Sequence, residues 1–155
     1  MRRDDPPFLD AGLAVAARLV REFEGLRLKP YTCPAGVATI GYGSTTYPDG
    51  RRVTLLDPPI TEARAEEMLQ HHLRTQCLPA VLAAVPNVDT ANRLGALLDF
   101  VFNLGARNFT TSKLARRAAE GRWELARTEL ARWVYANGKP LAGLMRRRAA
   151  EADLL

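Results

Sequence analysis

Three side chains capable of proton transfer or nucleophilic attack stand close together near the start of the chain: Glu24, Cys33 and Thr39. A carboxylic acid can protonate a leaving oxygen. A thiolate can accept a proton or attack carbon, and a hydroxyl can hold a water molecule. The set therefore suits an acid-assisted displacement, with an acid on one side and a base or nucleophile on the other. Glu24 lies four residues after Val20 and seven after Ala17, on the shoulder of an apolar helical face. It is also at the helix C-terminus, where the backbone dipole disfavours negative charge. Both placements favour the neutral, proton-donating carboxyl. Read in isolation, Glu24 is equally a surface acid, Thr39 an ordinary strand residue and Cys33 a small packed hydrophobe.

The elements that must position these residues follow from the pattern. Leu9, Leu13, Ala16, Val20 and Phe23 recur at helical spacing, so Asp10 to about Glu24 reads as an amphipathic helix stopped by Gly25. Tyr31 to Leu56 carries Gly36, Gly41, Gly43 and a Pro48-Asp49-Gly50 turn signal. Between them are β-leaning runs at Val37–Tyr42 and Arg52–Leu55, which predict a small antiparallel sheet. Thr61 caps a long helix through about Cys77, and Pro79–Val85 is a short piece. Thr90 caps a strongly apolar helix ended by Gly105, and Thr111 or Ser112 starts another that ends at Gly121. Arg122–Tyr135 reads as helix, and a final helix follows Pro140. The expected fold is α+β and mostly helical: a small sheet lobe with the N-terminal helix over 1–60, then a connecting helix and helical lobe over 61–155.

Composition narrows the class. The chain has 155 residues, 47% of them hydrophobic, and a formal net charge of +5, which suits an anionic partner such as a cell-wall polymer or nucleic acid. No apolar run is long enough to span a bilayer. Ala11–Ala17 follows acidic residues and stops at Arg18, so it reads as helix and not as a secretory signal. Two cysteines make no disulfide framework, although pairing of Cys33 with Cys77 stays open. The adjacent His71 and His72 point in different directions. No metal motif, phosphate loop or dinucleotide fingerprint is present, so neither a metal nor a cofactor is expected.

The segment Glu24-Gly-Leu-Arg-Leu-Lys-Pro-Tyr-Thr-Cys33-Pro-Ala-Gly-Val-Ala-Thr39-Ile-Gly-Tyr-Gly43 resembles the active-site segment of phage-type lysozymes, the endolysins of glycoside hydrolase family 24. In that family Glu, Asp and Thr occupy the places of Glu24, Cys33 and Thr39. Cys33 is thus a departure, as is Ser44, where many members carry His. Phe102-Asn103-Leu104-Gly105 with Asn108–Ser112, and Trp133–Gly138 with Gly143–Arg148, resemble the family's later blocks. The resemblance implies a lysozyme-like two-lobe fold and hydrolysis of the β-1,4 bond between N-acetylmuramic acid and N-acetylglucosamine in peptidoglycan. By it, Glu24, Cys33 and Thr39 are catalytic, and Gly41, Phe102, Asn103, Ser112 and Arg147 bind substrate. Arg147 near Glu24 would oppose the dipole and burial effects on that acid. A monomer acting on peptidoglycan is expected, with no nucleic acid and no membrane insertion. It would be made in the host cytoplasm without a signal peptide and act in the periplasm after release through a separate membrane-permeabilising protein. Competing expectations are a chitinase or lytic transglycosylase on the same scaffold, and a non-catalytic basic wall- or nucleic-acid-binding module.

Overall fold

The computed structural model describes residues 4–155. Helix α1 spans Pro6–Glu24 and buries Phe8, Leu13, Ala16, Ala17 and Val20 along one face. It begins earlier than its periodicity suggests because prolines at its first turn sit where backbone N–H groups have no helical partner. Gly25 ends it at φ 70°, donating its N–H to the Arg21 carbonyl at 3.1 Å. Glu24 is therefore the last helical residue.

The chain then forms an antiparallel pair, β1 (Arg27–Thr32) and β2 (Ala38–Gly41), with Tyr31 opposite Thr39 and Thr32 opposite Ala38. This corrects the expected pairing. The partner of β2 is β1, and the Arg52–Leu55 run contributes only an isolated bridge between Thr46 and Arg52. Thr54 is drawn into a turn instead. Asp57 accepts hydrogen bonds from the Thr54 N–H (3.0 Å), the Thr54 hydroxyl (2.9 Å) and the Tyr47 hydroxyl (2.8 Å). Ile40, Tyr47, Val53 and Met68 form a small apolar cluster apart from the main core.

Helix α2 (Glu62–His72) starts where Thr61 accepts the Arg64 N–H at 3.1 Å. It continues through a π-helical turn, Leu73–Cys77, into α3 (Leu78–Ala84). The Leu78 N–H reaches back to the Leu73 carbonyl across that turn. Helix α4 (Ala91–Leu104), capped by Thr90, is buried without interruption from Leu94 to Val101. It lies against α1 at close range, and two glycines make this possible. A Cβ on Gly12 would stand 2.4 Å from Leu94 Cδ2, and one on Gly95 would stand 2.3 Å from Val15 Cγ1. The main core is built around α1, α2, α3 and α4 and is completed by residues such as Phe109, Leu114, Ala126 and Leu130.

The remainder is α5 (Ala106–Thr110), α6 (Lys113–Ala119), α7 (Trp123–Glu129), a 3-10 turn at Leu130–Arg132, a hairpin of β3 (Tyr135–Ala136) and β4 (Lys139–Pro140), and α8 (Ala142–Ala152). The helix expected through Tyr135 stops early. Asn137 and Gly138 both take positive φ, 52° and 76°, which suits a tight hairpin turn. α8 buries Arg147, Arg148 and Glu151 and packs on α4 and α1. The molecule is mostly helical with a small antiparallel sheet, as expected. Among the described residues, no helix is long and apolar enough to cross a membrane.

Candidate active site

Glu24 emerges from the end of α1 into an open cavity of about 630 Å³ lined by Glu22, Phe23, Asn103, Leu141, Arg146 and Arg147, among others. Its side chain is 24% exposed, so a substrate can reach it. Oε1 accepts a 2.7 Å hydrogen bond from Arg147 Nη1. Oε2 lies against Gly43, where a Cβ would come within 2.8 Å of it. Gly43 also sits at φ 76°, so its lack of a side chain serves both the backbone and the acid.

Arg147 is held in turn by Asp99. Its Nε donates to Asp99 Oδ2 at 2.9 Å and its Nη2 to Asp99 Oδ1 at 2.8 Å, a two-pronged pair with both side chains buried. The guanidinium is planar and carries five N–H donors, so one Arg can grip two carboxylates at once. Its neighbour Arg148, also buried, donates from Nη2 to Asn103 Oδ1 at 2.8 Å and to Glu151 Oε1 at 2.7 Å. Glu24, Arg147 and Asp99 thus form a chain of contacts from cavity to core.

Cys33 opens a tight turn after β1. Its N–H donates to the Val37 carbonyl at 3.0 Å, and the Gly36 N–H donates to the Cys33 carbonyl at 2.8 Å. The thiol is half-buried and free. Hydrogen bonding from backbone N–H groups, that of Val37 first, holds it below the usual thiol range, against the opposing effect of partial burial. Thr39 is buried, and its Oγ1 donates to the Val37 carbonyl at 2.9 Å. Cys33 and Thr39 are therefore one unit. Tyr31 stands opposite Thr39 in the sheet. Its hydroxyl is raised first by burial and then by the charges of Glu24 and Cys33, so both lie within its electrostatic reach.

The other residues singled out in the sequence separate into two groups. Asn103 lines the Glu24 cavity. Phe102 is half-buried and stacks edge-on against His72, with ring centroids 4.9 Å apart. Gly41 is buried against Ala65 and Ile60, and Ser112 is a helix cap. The Ser112 hydroxyl donates to the Phe109 carbonyl at 2.6 Å and accepts the Ala115 N–H at 3.0 Å. Neither lines the cavity at Glu24. Ser44 is buried and pairs its backbone with Ile40. Cys77 is buried and free, its thiol pushed up to about 12 by desolvation. Sequence reading missed Asp99 and Glu151. The available signal was an acid inside the most apolar helix of the chain, a placement rarely tolerated without a cation. Among the described residues, no group of His, Cys, Asp and Glu is arranged to hold a metal ion.

The chain is 39% identical over 134 residues to the SAR-endolysin of Bacteriophage PS119, covering 84% of this chain and 75% of that protein. It is 37% identical over 140 residues to an endolysin of Acyrthosiphon pisum secondary endosymbiont phage 1, covering 88% and 91%. Among solved structures, the muramidase domain of SpmX from Asticaccaulis excentricus superposes with a TM-score of 0.72 at 35% identity, over 93% of both chains. An endolysin from Escherichia coli O157:H7 phage FAHEc1 gives 0.76 at 30%, over 93% of this chain and 89% of that one. The phage lysozyme family model matches residues 21–151, the stretch that runs from the end of α1 through Glu24, Cys33 and Thr39 to Glu151, and the chain belongs to that family.

Proposed function

We propose that this protein is an endolysin-type muramidase that hydrolyses the β-1,4 bond between N-acetylmuramic acid and N-acetylglucosamine in peptidoglycan. The observation that carries the reading is the seat of Glu24: a carboxyl open to the cavity on one side and gripped by a buried Arg147 on the other. In this reading Glu24 gives its proton to the glycosidic oxygen as the bond to the anomeric carbon breaks. Water attacks that carbon from the opposite face, and the Cys33 thiolate takes the proton that water releases. Thr39 supports the water route over direct attack by sulfur. Its hydroxyl proton is used on Val37, which leaves oxygen lone pairs to accept from a water. In this reading Asn103, which lines the Glu24 cavity, contacts the saccharide. The net charge of +5 favours approach to the anionic wall, where the enzyme acts after release from the cell that made it.

The deciding experiment compares clearing of purified peptidoglycan by the wild type and Glu24→Gln. The variant keeps the side-chain shape and removes the transferable proton, so the rate falls by about 100-fold or more. An unchanged rate refutes the assignment. Product analysis separates hydrolysis from transglycosylation, since only the latter leaves an anhydro sugar end.

A further inference from the structure

Glu151 takes no part in the reaction as described, yet its surroundings are demanding. It is fully buried on α8. Oε1 accepts from Arg148 Nη2 at 2.7 Å, but Oε2 is sealed from solvent and has no hydrogen-bond partner. An orphaned buried acceptor costs about 1–3 kcal/mol. The group within hydrogen-bonding reach is the carboxyl of Asp99 on α4, itself fully buried and with both oxygens already occupied by Arg147. Two carboxylates in contact in an apolar interior repel, and one of them keeps its proton.

The charged groups around this pair are Arg147 and Arg148 on α8, Asp99 on α4 and, beyond Arg147, Glu24 at the end of α1. The Cys77 thiol from the π-helical turn lies within electrostatic reach of Asp99, and desolvation keeps it neutral. Two guanidiniums thus face three carboxyls. A proton on Glu151 Oε2 turns the orphaned acceptor into a donor toward Asp99. The direction of the Glu151 titration agrees. Burial first, and then the hydrogen bond with Asp99, hold it well above the carboxylate range against the pull of Arg148 and Arg147.

We propose that Glu151 is the protonated hydrogen-bond donor that fixes Asp99 and, through Asp99, the Arg147 fork that holds Glu24, making it a positioning residue for the acid. The proposal rests on the reading of Glu24 as the general acid, and its test separates the two. Infrared difference spectra of wild type against Glu151→Gln near neutral pH report the proton without any turnover. A protonated carboxylic acid band that is present in wild type and lost in the variant is expected, and its absence overturns the proposal even if Glu24→Gln is inactive.

Kinetics supply the second arm. Gln at position 151 offers its oxygen to Arg148 and its N–H to Asp99, reproducing the protonated acid. Glu151→Met has similar length and no donor. Displacing the acid by about 1 Å costs about 100-fold, so kcat of the Met variant falls at least about tenfold with little change in KM, and Gln restores it to within about threefold of wild type. The basic limb of the pH–rate profile, where a general acid gives up its proton, moves in the Met variant and stays in place in the Gln variant. If Glu151→Gln is as impaired as Glu151→Met, the charge and not the proton of Glu151 is what matters, and the proposal fails. Should the Met variant not fold, the infrared spectrum and the Gln variant's activity still decide.

Discussion

Replacing Arg147 by Lys tests the support of the acid most directly. Arg147 makes three charge-assisted hydrogen bonds, at 2.9 and 2.8 Å to Asp99 and at 2.7 Å to Glu24. Lysine preserves the charge but concentrates it on one nitrogen, which cannot grip both oxygens of Asp99 and reach Glu24 as well. Two of the three bonds are lost, at about 2 kcal/mol each. The result is a destabilisation of about 4 kcal/mol, within the range of about 3–5 kcal/mol for breaking a buried ion pair. In a chain of this size that lowers Tm by about 8–16 °C. Thermal unfolding followed by circular dichroism at neutral pH measures it, with denaturant titration as a second estimate. The peptidoglycan clearing rate should fall in the same variant below its new Tm, because Glu24 loses its tether. A Tm within about 3 °C of wild type, less than about 1.5 kcal/mol, would show that Arg147 does not bear this load and would refute the reasoning.

Three further outcomes are expected. Thr39→Val should fold, since the Val37 carbonyl keeps its bond from the Cys33 N–H at 3.0 Å, and stability should fall by no more than about 1 kcal/mol. Its clearing rate should nevertheless drop at least about tenfold, since misplacing a reacting group by about 1 Å can cost about 100-fold; full activity in a folded variant rules out a role for the hydroxyl. Cys33→Ala should lose activity and Cys33→Asp should keep much of it. Because hydrogen bonding lowers the Cys33 thiol, wild-type activity should rise with pH through a value below the ordinary thiol range, and in Cys33→Asp that rise should move into the carboxylate range. The Asp57 carboxyl is lowered from 3.8 to about 2, chiefly by the Thr54 N–H and the Tyr47 hydroxyl. A group lowered in the folded state stabilises above its unfolded value and loses that contribution as pH falls through the folded one. Wild type should therefore be more stable than Asp57→Asn near pH 6, and the gap in Tm should shrink between about pH 4 and pH 2; a constant gap argues against the ionised Asp57 clasp.

Local signals in the chain were readable where the physics is local. Thr61, Thr90 and Ser112 each cap a helix through a side-chain oxygen, and a Ser or Thr just before an apolar period announces that. Gly25 likewise marked the end of α1, and so the placement of Glu24. β1 was missed because Arg27–Thr32 contains Pro30 and buries no residue fully, so it shows no alternation and exists as a strand only by pairing with β2. The Tyr135–Pro140 hairpin was overlooked although Asn137-Gly138 is a turn signal, because Trp133 and Val134 extend the helical period of α7 past its true end. Within the site, Glu24, Cys33 and Thr39 stand in one continuous motif. Asp99 and Glu151 act only through partners on other elements. Arg147 is separated from Asp99 by 48 positions and from Glu24 by 123, and no window along the chain reports such a contact. α8 was placed by Pro140, but its buried face is made of two arginines and a glutamate, which hydropathy reads as a solvated surface.

That separation has a consequence for timing during synthesis. Glu24 emerges from the ribosome 123 residues before the Arg147 that grips it. At about 5–20 residues per second, the interval is roughly 6–25 s. Over the first part of it the apolar face of α1 also lacks α4, its principal support in the finished fold, and is a natural target for chaperones. A nascent or prematurely ended chain that lacks α8 has the acid but not the clamp. The enzyme is thus made with its acid unsupported, and a cell that carries it meets the assembled centre only after translation has passed α8.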